Sequence, residues 1–259
     1  MKLRLPDLVT VYTEGESFSS SDAVFSRGDA EVRLLHGEEG LTVTLRADKT
    51  PVKALALRWN FREEERRSVP VKILGDHWER GYGDLAWRGI EPERIMPWYM
   101  LVSDGSDSDP DFTGRLTEGF GVRVRPRAIA AWQYDGAGVT LWADVRNGGS
   151  GVILGGRTLE VCEVLFRDYR DMSAFEAGCR FCRALCPDPK LPKHPVYGSN
   201  NWYYAYGKSS HTEILGDTKI VADRCAGLEN PPYMVIDDGW QKNNTDAPWT
   251  ETKQEFPDM

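Results

Sequence analysis

From residue 7 to residue 171, apolar and polar positions alternate with a period of two, in short runs broken by turn residues. That is the pattern of half-buried β-strands. Val9-Thr-Val-Tyr, Glu31-Val-Arg-Leu-Leu, Leu41-Thr-Val-Thr-Leu-Arg and Lys53-Ala-Leu-Ala-Leu-Arg-Trp-Asn-Phe open the series. Residues 69–74, 98–102, 121–125, 128–134, 139–145, 152–156 and 158–169 continue it. Asp135-Gly136, Asn147-Gly148-Gly149 and His36-Gly37 supply the turns of hairpins. So many short strands at this spacing predict an antiparallel β-sandwich over residues 1–172. Residues 19–22 and 104–111 read as polar loops, and the mixed charges of 62–67 as a solvated turn.

Near residue 172 the period changes. Ser173 followed by Glu176 forms a helix-capping pattern, and the helix it starts is stopped by Pro187. Pro187-Asp-Pro-Lys-Leu-Pro-Lys-His-Pro195 is a stiff connection, so residues 173–195 are expected to link two domains. Beyond it, 196–206 reads as an apolar, aromatic strand. The stretch from Ser209/Ser210 to Gly227 reads as an amphipathic helix with Ile214, Leu215, Ile220, Val221, Ala222 and Cys225 near one face. Tyr233 to Trp240 reads as a second strand. A β-α-β succession requires a parallel sheet, which sets 196–259 apart as a different domain.

The charge balance is 32 basic against 40 acidic residues, a net charge of −8. This argues against nucleic acid and anionic membrane surfaces as partners. No apolar run approaches the roughly 18 residues of a membrane span. Nor does the N-terminus carry the apolar core of a signal peptide, so a cytoplasmic location is expected. Five cysteines at scattered positions make no disulfide framework. Cys179, Cys182 and Cys186 share one stripe of the predicted helix. C-x-x-C can hold a soft metal, but no second ligand pair accompanies it, and a buried apolar stripe is the simpler expectation. The acids of 104–111 are out of register with a calcium loop. No metal or cofactor is therefore expected. Asn243-Asn244-Thr245 matches a glycosylation acceptor, which has meaning only in a secreted eukaryotic protein. Nine Trp, ten Tyr and nine Phe stand out in the composition. Part of them is expected in the core, and part as a platform for flat, weakly polar ligands such as sugars.

The most specific chemistry is at the end of the second parallel strand, Val235-Ile-Asp-Asp-Gly-Trp240. Carboxylates there face the crevice where ligands of parallel sheets bind. Gly239 permits the chain to turn, so that Asp237 and Asp238 need not point to opposite faces. Two adjacent carboxylates suit several sugar hydroxyls, and an aromatic such as Trp202 suits the apolar C–H side of the same ring. A capped strand end with Trp202 in the core is the structural alternative.

This motif, following Asn200-Asn201-Trp202, resembles the start of the catalytic barrel of α-galactosidases in glycoside hydrolase family 36 and its clan D relatives. Asp217-Thr-Lys-Ile-Val-Ala-Asp223 is similar to their first barrel helix. Gln254-Glu-Phe-Pro-Asp-Met259 is similar to the stretch before the second. Leu74-Gly-Asp-His-Trp-Glu-Arg-Gly-Tyr-Gly-Asp-Leu-Ala-Trp87 is similar to part of their N-terminal supersandwich. The resemblance implies a supersandwich, a linker helix and then a (β/α)8 barrel. It implies that Asp237 and Asp238 bind the galactose 4- and 6-hydroxyls and that Trp202 walls the sugar. Trp78 is a candidate aromatic reaching the pocket from the sandwich, and Trp240 matches the motif with a structural or a binding role.

A full barrel takes about 250 residues, whereas 196–259 accommodates two strands and one helix. The family's retaining mechanism uses a carboxylate pair about 5–5.5 Å apart, an Asp of the fourth strand and an Asp near the sixth. Both would fall past Met259, so the resemblance implies no catalytic residue in this chain. The expectation is an N-terminal fragment that binds sugar poorly and hydrolyses nothing alone. Unpaired strand edges should associate with the rest of a barrel or with a second copy. Two other readings stay open: a non-catalytic carbohydrate-binding or scaffold sandwich, and a transglycosylase of the raffinose-synthase kind. A Mg²⁺-dependent phosphotransferase would need a phosphate loop or a basic cluster, and neither is near.

Overall fold

The computed structural model describes residues 1–78, 85–105, 113–146 and 148–240. Glu79 to Asp84 of the 74–87 segment, most of the acidic 104–111 loop, Asn147, the Asn243 acceptor and Gln254 to Met259 lie outside the described residues. The chain divides into two compact units, Met1–Asp188 and Pro189–Met259.

The first unit is an antiparallel β-sandwich. Its strands are β1 (Leu8–Thr13), β2 (Ser17–Ser20), β3 (Val24–Arg27), β4 (Ala30–His36), β5 (Leu41–Ala47), β6 (Val52–Asn60) and β7 (Lys72–Gly75). They continue with β8 (Met96–Pro97), β9 (Tyr99–Ser103), β10 (Thr113–Val122), β11 (Ile129–Tyr134), β12 (Gly138–Asp144) and β13 (Thr158–Ser173). One sheet runs β2-β1-β6-β12-β11-β8 and the other β3-β4-β5-β13-β10-β9-β7. Period-two burial is clean where the alternation in sequence is clean: along β5, Leu41, Val43, Leu45 and Ala47 are buried while Thr42, Thr44 and Arg46 are not.

Between the sheets the inward aromatics meet. Trp59 and Trp132 come from one sheet, Phe120 and Phe166 from the other, with Trp59–Phe166 centroids 5.1 Å apart and Phe120–Phe166 4.8 Å apart. Both indole N–H groups donate to backbone carbonyls, Trp59 to Arg4 at 2.8 Å and Trp132 to Trp98 at 3.1 Å. Buried indoles need such a partner. Much of the aromatic content is thus core. Trp98 is the corner at which the chain passes from one sheet to the other, between β8 and β9, and it takes a left-handed backbone (φ 69). Its N–H donates to the Ala130 carbonyl and its own carbonyl accepts from the Val122 N–H, so both sheets hold the corner.

Helix α1 (Ala174–Leu185) begins at Ser173, whose hydroxyl accepts from the Glu176 N–H at 3.1 Å. It packs on the outer face of β10 and β13 within the first unit. Ala174, Ala177, Phe181 and Leu185 form its buried stripe. The cysteines do not: Cys182 is exposed and Cys179 and Cys186 are half-buried. The larger side chains win the contact because β10 has glycine beneath them. A Cβ on Gly119 would stand 2.7 Å from the Phe181 ring. Cys162 is the buried thiol, pushed up to about 12 by desolvation. None of the five cysteines forms a disulfide. The charged run at 62–67 holds a short 3-10 turn, and Arg67 is drawn inward to the buried Glu118 at 2.6 Å. No described helix is long and apolar enough to cross a membrane.

The second unit is a βαβ arrangement. β14 (Gly198–Asn200) and β15 (Tyr233–Val235) pair in parallel, Asn200 opposite Val235. Between them lie the single turn α2 (Trp202–Ala205) and α3 (His211–Arg224). α3 starts in a full capping box, Ser210 and Glu213 exchanging side-chain and backbone bonds. The strand expected over 196–206 is therefore three residues long, and Trp202 begins a helical turn instead. The aromatic run favours a strand, but the Asn200 side chain accepts the Trp202 N–H at 2.7 Å and turns the chain.

Candidate functional site

Asp237 and Asp238 lie just past the end of β15, in the turn completed by Gly239 (φ 103). A Cβ on Gly239 would run into the carbonyl of Gly207, itself left-handed at φ 76. Glycine at both places lets the turn after β15 approach the turn after α2.

Three hydrogen bonds define the carboxylate end. The buried Asn201 accepts the Asp237 N–H through Oδ1 at 2.7 Å. Asn200 Nδ2 donates to Asp237 Oδ2 at 2.8 Å, and the Asp238 N–H donates to Asp237 Oδ1, also at 2.8 Å. The Asn200 amide, followed by the Asp238 N–H, holds the Asp237 carboxyl below its ordinary range, so it is ionised at neutral pH. Asp238 is exposed. Trp202 is half-buried, its ring meeting Tyr206 edge-on at 5.7 Å. Tyr204 donates its hydroxyl to Asp217 Oδ2 on α3, and that bond pushes the phenol up to about 12. A neutral phenol there locks α2 onto α3.

The structure thus brings Asp237, Asp238 and the start of Trp202's turn to one end of the parallel pair. Trp240 is half-buried and has no ring contact or hydrogen bond to the others among the described residues. Trp78 belongs to the first unit, where it is 54% exposed and meets Trp98 edge-on at 5.8 Å and 72°. Two perpendicular rings are not a flat platform. Asn200, Asn201 and Tyr204, which tie the site together, carry roles the sequence reading did not assign. The signal was two adjacent amides at a strand end.

Each unit has a cavity of its own. One of about 310 Å³ is lined by Pro231, Pro232, Met234 and α3 residues, at the other end of β15. The other, about 760 Å³, is in the sandwich beside Trp98, Arg125, Ile129 and Leu185. No group of three or more His, Cys, Asp or Glu gathers as a metal site among the described residues.

No protein-family model and no curated protein sequence matches the chain. Among solved structures it is similar to the family 36 α-galactosidase AgaB of Geobacillus stearothermophilus, at 14% identity and a TM-score of 0.44, over 93% of this chain and 36% of that one. It is similar also to a doubly substituted α-galactosidase AgaA of the same organism, in complex with raffinose, at 13% identity and a TM-score of 0.49. That match covers 98% of this chain and 41% of AgaA. The chain therefore spans well under half the length of either enzyme.

Proposed function

We propose that this chain is part of a retaining glycoside hydrolase of the α-galactosidase type, contributing an N-terminal sandwich, the opening βαβ unit of a (β/α)8 barrel and one side of the sugar pocket. The observation that carries the reading is the paired carboxylate at the end of a parallel strand, one member ionised and clamped, the other open to solvent. A sugar hydroxyl needs a fixed acceptor, and Asp237 is fixed. An open carboxylate beside it can take the neighbouring hydroxyl, so the 4- and 6-hydroxyls of galactose fall to Asp237 and Asp238. Trp202 would cover the C–H face. Trp240 takes a supporting place.

Asp237 and Asp238 serve binding in this account. A retaining pair stands about 5–5.5 Å apart with the glycosidic carbon between. Asp237 already accepts the N–H of Asp238, and its carboxylate is tied by Asn200. The nucleophile and the acid/base belong to other barrel strands. The rest of the barrel would also cover Leu215, Ile220, Tyr233 and Val235, each about half exposed here. The edge-on Trp78–Trp98 pair favours this reading over a sandwich that binds sugar on a flat aromatic face. A transglycosylase of the raffinose-synthase kind would share the binding residues and differ in the acceptor it admits.

Purified chain incubated with a nitrophenyl α-galactoside is expected to release no nitrophenol above the buffer rate. Turnover that survives replacement of both Asp237 and Asp238 would place a catalytic pair inside these residues and overturn the assignment.

A further inference from the structure

Asn200 does more than end a strand. Its side chain has one acceptor and one donor end, and each is used. Oδ1 accepts the backbone N–H of Trp202 at 2.7 Å, and Nδ2 donates to Asp237 Oδ2 at 2.8 Å. The two bonds demand the same orientation of the amide. Flipped, it would set NH₂ against N–H and oxygen against carboxylate. The neighbouring Asn201 plays a different part. It is buried and binds the backbone of Asp237, leaving the carboxylate alone.

We propose that Asn200 is a positioning residue of the sugar site, its single amide fixing the Asp237 carboxylate and the backbone entry to Trp202 at one spacing. The hydroxyl acceptor and the apolar wall are then presented together. This rests on the reading of Asp237 and Trp202 as sugar contacts. Asp237 keeps acceptor capacity on both oxygens, because the bonds from Asn200 and from the Asp238 N–H take one lone pair on each. Those bonds set the directions in which the remaining lone pairs point. No other small side chain serves at 200. Aspartate offers no donor and sets a like charge against Asp237. Serine is too short to reach both partners, and alanine reaches neither.

The test is an NMR titration of the Asp carboxyl carbons and Asn side-chain amides in the 259-residue chain, in wild type, Asn200→Ala and Asn200→Asp. In wild type the Asn200 amide signals should follow the Asp237 titration, and the Asp237 midpoint should lie below those of open aspartates. Asn200→Ala should move that midpoint up toward the ordinary range, and Asn200→Asp should move it higher. Saturation-transfer binding of methyl α-galactoside should weaken about tenfold in Asn200→Ala, as expected when a bond to a charged group is lost. A purely structural Asn200 would alter stability without moving the Asp237 midpoint. An unmoved midpoint in a folded Asn200→Ala variant overturns the proposal. So does a wild-type Asn200 amide indifferent to Asp237, a readout that requires no variant to fold. If wild type shows the clamp but binds no galactoside, the clamp stands as geometry and the sugar reading fails.

Discussion

α1 and α3 are helices of similar length with opposite fates. α1 buries four side chains, Ala174, Ala177, Phe181 and Leu185, on a sheet that has glycines ready to receive them. α3 buries only Ile214, while Leu215 and Ile220 stay 56% and 54% exposed. Their strands differ likewise: β5 and β6 have side chains wholly removed from water, whereas every residue of β14 is exposed. The sandwich closes its own core between two sheets, so its order comes from apolar burial. The βαβ unit is held by directed bonds instead: Asn200 and Asn201 to Asp237 at the strand ends, and Tyr204 to Asp217 between α2 and α3. The site lies in the region with less burial and more polar wiring.

If this contrast is right, truncation should cost very different amounts in the two regions. Trp132→Ala, in the inter-sheet aromatic cluster, should destabilise the sandwich by about 3–5 kcal/mol. Val235→Ala should fall within about 0.5 kcal/mol, as surface substitutions do. Urea unfolding followed by a probe in each unit checks this, and equal losses would break the contrast.

Glycine-to-alanine exchange should change sign between the regions. Gly119→Ala inserts a methyl 2.7 Å from Phe181, an overpacking expected to cost about 1–3 kcal/mol and to loosen α1. Gly216 lies within α3 with nothing near its Cβ position. Gly216→Ala should therefore stabilise that helix by up to about 1 kcal/mol. Circular dichroism melts of the two variants sharpen the comparison.

A smaller effect separates the regions by pH. The Thr50 hydroxyl, with the Lys49 and Thr50 N–H groups, holds Asp29 at about 2. Its folded value lies below its unfolded one, so its stabilisation is complete above about pH 4 and is lost as pH falls toward 2. Asp237 is also lowered, by Asn200 first, and has the same sign. Its contribution should be confined to the βαβ unit. Hydrogen exchange across pH 2–5 should show acid loosening at the Asp29 turn and, separately, at 200–201 and 237–239. Loosening spread evenly through the chain would contradict local clamps.

Legibility in sequence followed the same division. Strands such as β4, β5, β6 and β12 are readable because one face meets a core and the other meets water. β10 was only half readable. Gly114, Gly119 and Gly121 dilute its alternation, and Gly119 and Gly121 serve α1, a partner that local pattern does not reveal. β2 carries three serines and Phe18, so it looks like the polar loop expected at 19–22. The carboxylate pair was legible because acids after an apolar strand are conspicuous. The clamp was not, since an asparagine's partner 37 residues away depends on tertiary register. The turn at Trp202 escaped for a local reason: the aromatic run favours a strand, and the bond that turns the chain comes from the Asn200 side chain two residues earlier.

The most direct measurement is saturation-transfer NMR on the chain with methyl α-galactoside and, separately, methyl α-glucoside, which differs only at the 4-hydroxyl. The account predicts weak transfer to the galactoside, stronger than to the glucoside, and lost in Asp238→Asn with the chain still folded. Equal transfer to both sugars, unchanged when Asp237 and Asp238 are replaced, would contradict a galactose site at the end of β15.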